Sequence, residues 1–198
     1  AITKNPIIQQ HMTVLGQAVN MIGGPQIRAI GTIGGNTCNG VTSADSASTL
    51  HAYEAIVEIT GPDGVRREPI KDFYIRPKVV DLKPGELQTA LIIPKASYES
   101  CYGHYIKYAM RNALDIATLG CSVNVRLSED KKVFERVRIA YGVAAPVPAR
   151  AYTAEAVLNG KSVTDENIRA FAAAVLEDIH PRDSWRAGKV LAPISMKN

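Results

Sequence analysis

Hydrophobic and polar positions recur with a helical period at the start of the chain and with a strand period further on. Apolar residues three and four positions apart over residues 6–22 predict a helix, which the glycines and proline of residues 23–25 end. Residues 53–60 alternate between apolar and polar side chains, which is typical of a half-buried strand. A turn at residues 62–64 then leads to a returning strand over residues 65–70, so the first half combines helices with a hairpin.

The second half predicts strands first and helices afterwards. Further strands are expected over residues 87–93, 104–110, 116–127 and 133–143. Thr164 is a suitable N-cap for a helix with an apolar face over residues 168–179, and another helix is expected over residues 184–194. Because strands and helices are segregated here, we expect an α+β protein, with a domain boundary at the turn near residue 85.

The composition is that of an ordinary folded protein. Of the 198 residues, 46% are hydrophobic and 21% charged, which argues against disorder, a coiled coil or a membrane helix. The net charge of +4 is mild and indicates a solvated surface rather than a nucleic-acid interface. Three distant cysteines without a CxxC pair argue against a disulfide framework, and against a zinc or iron–sulfur site held by this chain alone. Free thiols are typical of a reducing compartment, so we expect a cytoplasmic protein whose cysteines are small buried hydrophobes.

The strongest local motif is TIGGNTCN, residues 32–39, followed by Asp45. Two adjacent glycines let the backbone approach a ligand closely and present N–H groups to phosphate oxygens. Asp45 is of the residue type that accepts hydrogen bonds from sugar hydroxyls in dinucleotide sites. The spacing matches neither GxGxxG nor GxxxxGK[ST], and by itself favours a tight structural turn. A nucleotide-phosphate loop is the alternative.

The other polar residues form no catalytic constellation. The histidines are dispersed, so a metal site lacks ligands. Residues 180–184 contain a histidine, an aspartate and a serine, but without a nucleophile elbow they favour a helix end over a catalytic triad. Lys107, Arg111 and Asp115 recur every fourth residue, as ion pairs on a helix do, although the β-forming residues around Lys107 favour a strand. A solvated face and a phosphate-contacting cation are both open for Lys107.

Two long segments resemble a known family. GPQIRAIGTIGGNTCNGVTSADS (residues 24–46) and HYIKYAMRNALDIATLGCSVNVRL (residues 104–127) resemble the FAD-binding, or medium, subunits of molybdenum hydroxylases of the xanthine dehydrogenase type. The resemblance implies that residues 1–85 form the second FAD-binding subdomain. Residues 86–198 would form the C-terminal domain, a three-stranded antiparallel sheet with a helical bundle. It also implies that the first FAD-binding subdomain and the C-terminal end of the family fold lie outside this sequence.

The resemblance assigns a cofactor and a set of contacts. In the family a loop of this type wraps the FAD diphosphate, and this chain would supply neither a catalytic residue nor a metal ligand. The residues implied as FAD contacts are Thr32, Ile33, Gly34, Gly35 and Asn36 at the diphosphate, Asn39 and Asp45 at the ribityl or ribose hydroxyls, Ile22 at the flavin ring, and Lys107 and Gln88 elsewhere on the cofactor.

The resemblance also implies an electron relay within a hetero-oligomer. A large partner subunit would carry the molybdenum cofactor, and a small one two [2Fe–2S] clusters. Electrons would leave through the FAD of this chain, usually to NAD⁺, and the protein would bind, orient and tune the flavin. The hydroxylated substrate, such as xanthine or nicotinate, would bind on another chain. Two alternatives are a redox-inert scaffold that bridges other subunits and a regulatory domain that binds a different nucleotide.

Overall fold

The computed structural model describes residues 2–181, in which two larger antiparallel sheets and a short strand pair are covered by helices. The α-helices of this part are α1 (Pro6–His11), α2 (Thr13–Asn20), α3 (Pro25–Ile30), α4 (Ile33–Cys38), α5 (Asp45–Ala52), α6 (Ile70–Phe73), α7 (Lys95–Tyr98), α8 (Tyr152–Leu158) and α9 (Asp165–Asp178). The strands are β1 (Ile56–Gly61), β2 (Gly64–Pro69), β3 (Tyr74–Arg76), β4 (Val79–Val80), β5 (Leu87–Ile92), β6 (Cys101–Tyr108), β7 (Leu119–Leu127), β8 (Phe134–Gly142) and β9 (Ala149–Arg150).

The helix that the sequence predicted over residues 6–22 is two helices. α1 ends and α2 begins at Met12, whose backbone (φ −136°, ψ 47°) leaves the helical region. The Met12 side chain is buried in the core, so the break coincides with an inward-facing residue. α3 follows the glycines that end α2 and leads directly to the TIGGN segment.

β1 is the central strand of the first sheet, whose order is β2-β1-β5 with antiparallel pairs. The predicted alternation is confirmed, because Val57 and Ile59 are fully buried, although the strand begins at Ile56 rather than at residue 53. α5 precedes it and was missed because its sequence, DSASTLHA, is small and polar with no apolar stripe. Every residue of α5 is nevertheless buried, since the helix packs against the second sheet.

The second sheet has the order β6-β7-β8-β9. Three long antiparallel strands form most of it, as predicted, and the two-residue β9 adds a fourth strand at the edge. α5 packs on one face, where the hydroxyls of Thr49 and Ser122 share a hydrogen bond. α8 and α9 cover part of the other face, where Ile139 and Tyr141 lie in one core with Val175 of α9.

The C-terminal helix of the described part begins where the sequence predicted. Thr164 caps α9 by accepting a hydrogen bond from the Asn167 N–H at 3.3 Å. Within residues 2–181 no helix is both long and apolar enough to cross a membrane. The further helix expected over residues 184–194 lies outside the described residues.

The two halves of the chain share a core. The predicted boundary near residue 85 falls just before β5, which pairs with β1 and so lies in the first sheet. Tyr105 of β6, in the second half, packs among the buried residues of the first half. The boundary therefore stays a prediction, and the site described next uses residues from both halves.

Candidate functional site

The glycine pair lies in the first turn of α4 rather than in the isolated tight turn that its spacing favoured. Thr32 caps this helix, because its Oγ1 accepts a hydrogen bond from the Gly35 N–H at 2.9 Å. The N–H groups of Ile33 and Gly34 come before the first intrahelical bonds and have no acceptor among the described residues. They are free to bind an anion, which the positive end of the helix also favours.

The surface above Gly34 is open. A Cβ added to Gly34 would meet only the Gln88 Nε2 within 4 Å, at 3.8 Å, whereas one added to Gly35 would lie 3.1 Å from the Thr32 Oγ1. The Cys38 thiol holds Gln88 in place by donating to its Oε1 at 2.9 Å. Burial raises the pKa of this thiol, which keeps it protonated and able to donate. A ligand can therefore approach the Gly34 backbone and the Gln88 amide together.

Asn36 connects α4 to the start of α5. Its Oδ1 accepts a hydrogen bond from the fully buried Ser46 hydroxyl at 2.7 Å. Ile33 packs partly buried against the core of the first half, and Asn39 is exposed at the C-terminal end of α4. Of these residues, Asn36 is thus held by the fold, while the Asn39 side chain is open to solvent.

Asp45 begins α5, next to Ser46, and is buried between two donors of β6. The Tyr105 hydroxyl donates to Asp45 Oδ1 at 2.6 Å, and the Lys107 ammonium donates to Oδ2 at 2.9 Å. Burial is the largest influence on the Asp45 carboxyl and raises its pKa, while the hydrogen bonds from Tyr105 and Lys107 act in the opposite direction. Both Asp45 oxygens, which the resemblance assigned to cofactor hydroxyls, already carry one protein hydrogen bond each.

Lys107 is not a solvated surface charge. Its side chain is only 8% exposed, and its ammonium also donates to the Met21 carbonyl at 2.9 Å. An ammonium has three protons, so one remains beyond these two bonds. Lys107 lines a cleft of about 590 Å³, and the remaining N–H of its ammonium can donate to a ligand there.

The cleft lies between the turn after α2 and the segment that follows β6. Arg28, Lys107 and Arg111 contribute three positive charges to its lining, against the single carboxylate of Asp115. Arg111 and Asp115 are paired at 3.5 Å in an irregular segment, not on a helix, and the Arg111 N–H also donates to the Asp115 carboxylate at 2.9 Å. The lining therefore has an excess of positive charge, which suits an anionic ligand.

Ile22 lies close to this cleft but not in its lining. Its side chain packs against the core of the first half, and its carbonyl accepts a hydrogen bond from Arg28 at 2.8 Å. The contact with the flavin ring that the resemblance assigned to Ile22 therefore stays a prediction. Met21, the preceding residue, is an apolar side chain that does line the cleft.

Sequence reasoning missed several members of the site. Tyr105, Ser46, Arg28 and the Met21 carbonyl hold predicted residues in place, yet none belongs to the glycine motif. One signal was present, because strand alternation puts Tyr105 on the same face of β6 as Lys107.

The cysteines and acidic residues point away from a metal centre in this part of the chain. Among residues 2–181 no group of three or more His, Cys, Asp or Glu side chains could hold a metal ion. Cys38, Cys101 and Cys121 are free thiols and are partly, not fully, buried.

Comparison with known proteins defines the class of this fold and site. The family described as "FAD binding domain in molybdopterin dehydrogenase" matches residues 1–96, and the "CO dehydrogenase flavoprotein C-terminal domain" matches residues 104–190. The putative xanthine dehydrogenase FAD-binding subunit of Escherichia coli K12 is 43% identical over 186 residues, which cover 94% of this chain and 63% of the relative. The carbon monoxide dehydrogenase medium chain of Hydrogenophaga pseudoflava is 30% identical over 182 residues, which cover 92% of this chain and 62% of that relative.

A solved structure agrees with these matches. The carbon monoxide dehydrogenase of Hydrogenophaga pseudoflava superposes with a TM-score of 0.91 at 29% identity, over 99% of this chain and 67% of the other. The class is that of the flavoprotein domains that these models describe, and the chain belongs to the family of FAD-binding subunits of the molybdenum hydroxylases. These matches confirm the predicted family, the α+β fold and FAD as the cofactor of the family. The chain spans about 63% of the length of the E. coli relative.

Proposed function

We propose that this chain binds FAD along the path from the first turn of α4 to the Lys107 cleft, as the flavoprotein subunit of a molybdenum hydroxylase. The observation that carries the proposal is a chain of contacts between the two places, made of two hydrogen bonds joined by one peptide link. It runs from Asn36 to Ser46 and, through the neighbouring Asp45, to Lys107 at the cleft. Each step joins residues that the fold fixes, which supports assigning the first turn of α4 and the cationic cleft to one site.

The first turn of α4 suits the diphosphate. The N–H groups of Ile33 and Gly34 are without an acceptor among the described residues, and no side chain covers Gly34. Phosphate oxygens bind such N–H groups at helix N-termini. The Thr32 cap keeps the turn in shape, and Gln88 offers a further amide donor beside it.

The other end of the site suits the flavin and its polar edge. Lys107 and Arg28 bring positive charge to the cleft, and Met21 adds an apolar side chain. FAD, when bound, supplies the electron and hydride transfer, which is the chemistry of the cofactor rather than of amino-acid side chains. The chain binds and orients the cofactor, and Lys107 tunes its electronics by charge.

The partners follow from the family. We propose a large subunit that carries the molybdenum cofactor and a small subunit that carries the iron–sulfur clusters, with electrons passing from those clusters to this flavin and on to NAD⁺ or another acceptor. The 43% identity to a xanthine dehydrogenase FAD-binding subunit favours an N-heterocyclic substrate, bound on the large subunit. The cytoplasmic location predicted from the free thiols stays a prediction.

Substitution of Gly34 tests FAD binding at α4. Gly34→Val places a branched side chain over the free N–H groups, and its Cβ meets nothing closer than Gln88, so the protein should fold and lose most of its flavin. Gly34 is a better choice than Gly35, where a Cβ crowds the Thr32 cap at 3.1 Å. Gly16→Ala is a matched control, since its Cβ makes only an ordinary 3.6 Å contact with Ile8. Normal flavin content in folded Gly34→Val protein would refute the placement.

A further inference from the structure

Two residues of β6 hold one carboxylate of the site. Tyr105 and Lys107 are two positions apart, so they face the same side of the strand. Tyr105 donates to one oxygen of Asp45 at 2.6 Å and Lys107 to the other at 2.9 Å. Lys107 is the member that lines the cleft, and Tyr105 lies behind it at 1% exposure.

We propose that Tyr105 is a positioning residue of the cofactor site. It fixes the Asp45 carboxylate, and through Asp45 it fixes the Lys107 ammonium at the cleft. The inference rests on the FAD-binding function proposed above and deepens it, because it names a residue that acts on the cofactor without touching it.

Contacts with α2 and β7 position Tyr105. Its backbone N–H donates to the Gln17 side chain of α2 at 2.9 Å, on the open edge of β6. Gly120 of β7 leaves space for the phenol, because a Cβ there would lie only 3.0 Å from the Tyr105 hydroxyl. Burial and the neighbouring Asp45 raise the pKa of Tyr105 far above its ordinary range, so the hydroxyl remains a donor.

Loss of the hydroxyl acts on Lys107. Each Asp45 oxygen has one side-chain donor, and removing the phenol leaves Oδ1 buried without it. The carboxylate can then rotate, and the Lys107 ammonium keeps only the Met21 carbonyl as an anchor of fixed position. A lysine whose charge is no longer held at the cleft contributes less to cofactor binding.

A double-mutant cycle separates this role from a merely structural one. Tyr105→Phe should weaken FAD binding about tenfold, the size expected for one hydrogen bond to a charged group. In a Lys107→Met background the same change should add almost nothing, because the interaction it acts through is gone. Tyr53→Phe, which alters another buried tyrosine of the same core, should leave the affinity unchanged.

Gly120→Ala provides an independent route to the same perturbation. It displaces the Tyr105 hydroxyl without altering any charge, and should weaken FAD binding in the same direction as Tyr105→Phe. The proposal is overturned if folded Tyr105→Phe protein binds FAD as tightly as the wild type, or if its tenfold loss persists in the Lys107→Met background. A wild-type protein that binds no FAD would instead refute the proposed function, so the two failures are distinguishable.

Discussion

Lys107→Met tests the buried ion pair and the cofactor contact together. The change should weaken both FAD binding and stability, because Lys107 pairs with Asp45 and the two side chains are only 8% and 7% exposed. Methionine fills the space of the lysine stem but leaves the carboxylate buried without its charged partner.

The expected loss of stability is about 3 kcal/mol at pH 8. Removing one partner of a buried ion pair costs about 3–5 kcal/mol, and the lower end applies because Tyr105 still donates to Asp45. The loss of Lys107 also raises the Asp45 pKa further, since the lysine favours the charged carboxylate. A raised carboxyl pKa means that the folded state binds more protons, so the stability of the variant should fall as pH rises. The deficit relative to wild type should therefore be smaller at pH 5 than at pH 8.

Urea unfolding at the two pH values measures this effect. Lys95→Met is a matched control, because its pair with Glu99 is exposed and screened by solvent and should change the stability little. The double variant Asp45→Asn/Lys107→Met removes both charges and should regain more than half of the lost stability. A Lys107→Met protein as stable as wild type at pH 8 would refute the reasoning.

Two further predictions concern the surroundings of the site. His51 is buried, and its pKa is lowered to about 4, mainly by burial, so the unfolded state takes up a proton more readily than the folded state. Stability should fall as pH drops from 6.5 towards 4, by roughly 3 kcal/mol in all, and His51→Gln should abolish that slope in unfolding titrations; an unchanged slope would exclude His51 as its source. Thr32→Ala removes the cap of α4 and should cost about 1 kcal/mol in unfolding free energy, with Thr32→Ser restoring most of it. Equal stability of the alanine and serine variants would show that the cap bond contributes nothing.

The elements that the sequence predicted best are those with a simple periodicity. β1 alternates, and its inward side chains Val57 and Ile59 are buried as expected. α9 has both an apolar face and a polar cap at Thr164, so its start was predictable. α4 was not, because glycines have low helix propensity and the helix depends on the Thr32 cap. α5 was missed because its side chains are small and mostly polar, so no apolar stripe marks it as a helix although it is buried all round.

The site was predictable only in part. The glycine motif is local, so its residues could be found by inspection and by family resemblance. The contact between Asp45 and Lys107 joins residues 62 positions apart, and that between Asp45 and Tyr105 spans 60. No local pattern encodes such pairs, because they depend on where the fold places the start of α5 relative to β6. The role of Tyr105 therefore emerged only from the three-dimensional structure.

The most direct test of the central claim is identification of the cofactor released from the purified protein. Heat or acid extraction followed by chromatography and mass spectrometry would identify the nucleotide and its ratio to protein. The structure and the family predict FAD, close to one per chain, and strongly reduced in Gly34→Val protein but not in Gly16→Ala. A folded protein that releases a different nucleotide, or FAD whose content is indifferent to Gly34→Val, would contradict the placement of the cofactor on α4 and Lys107.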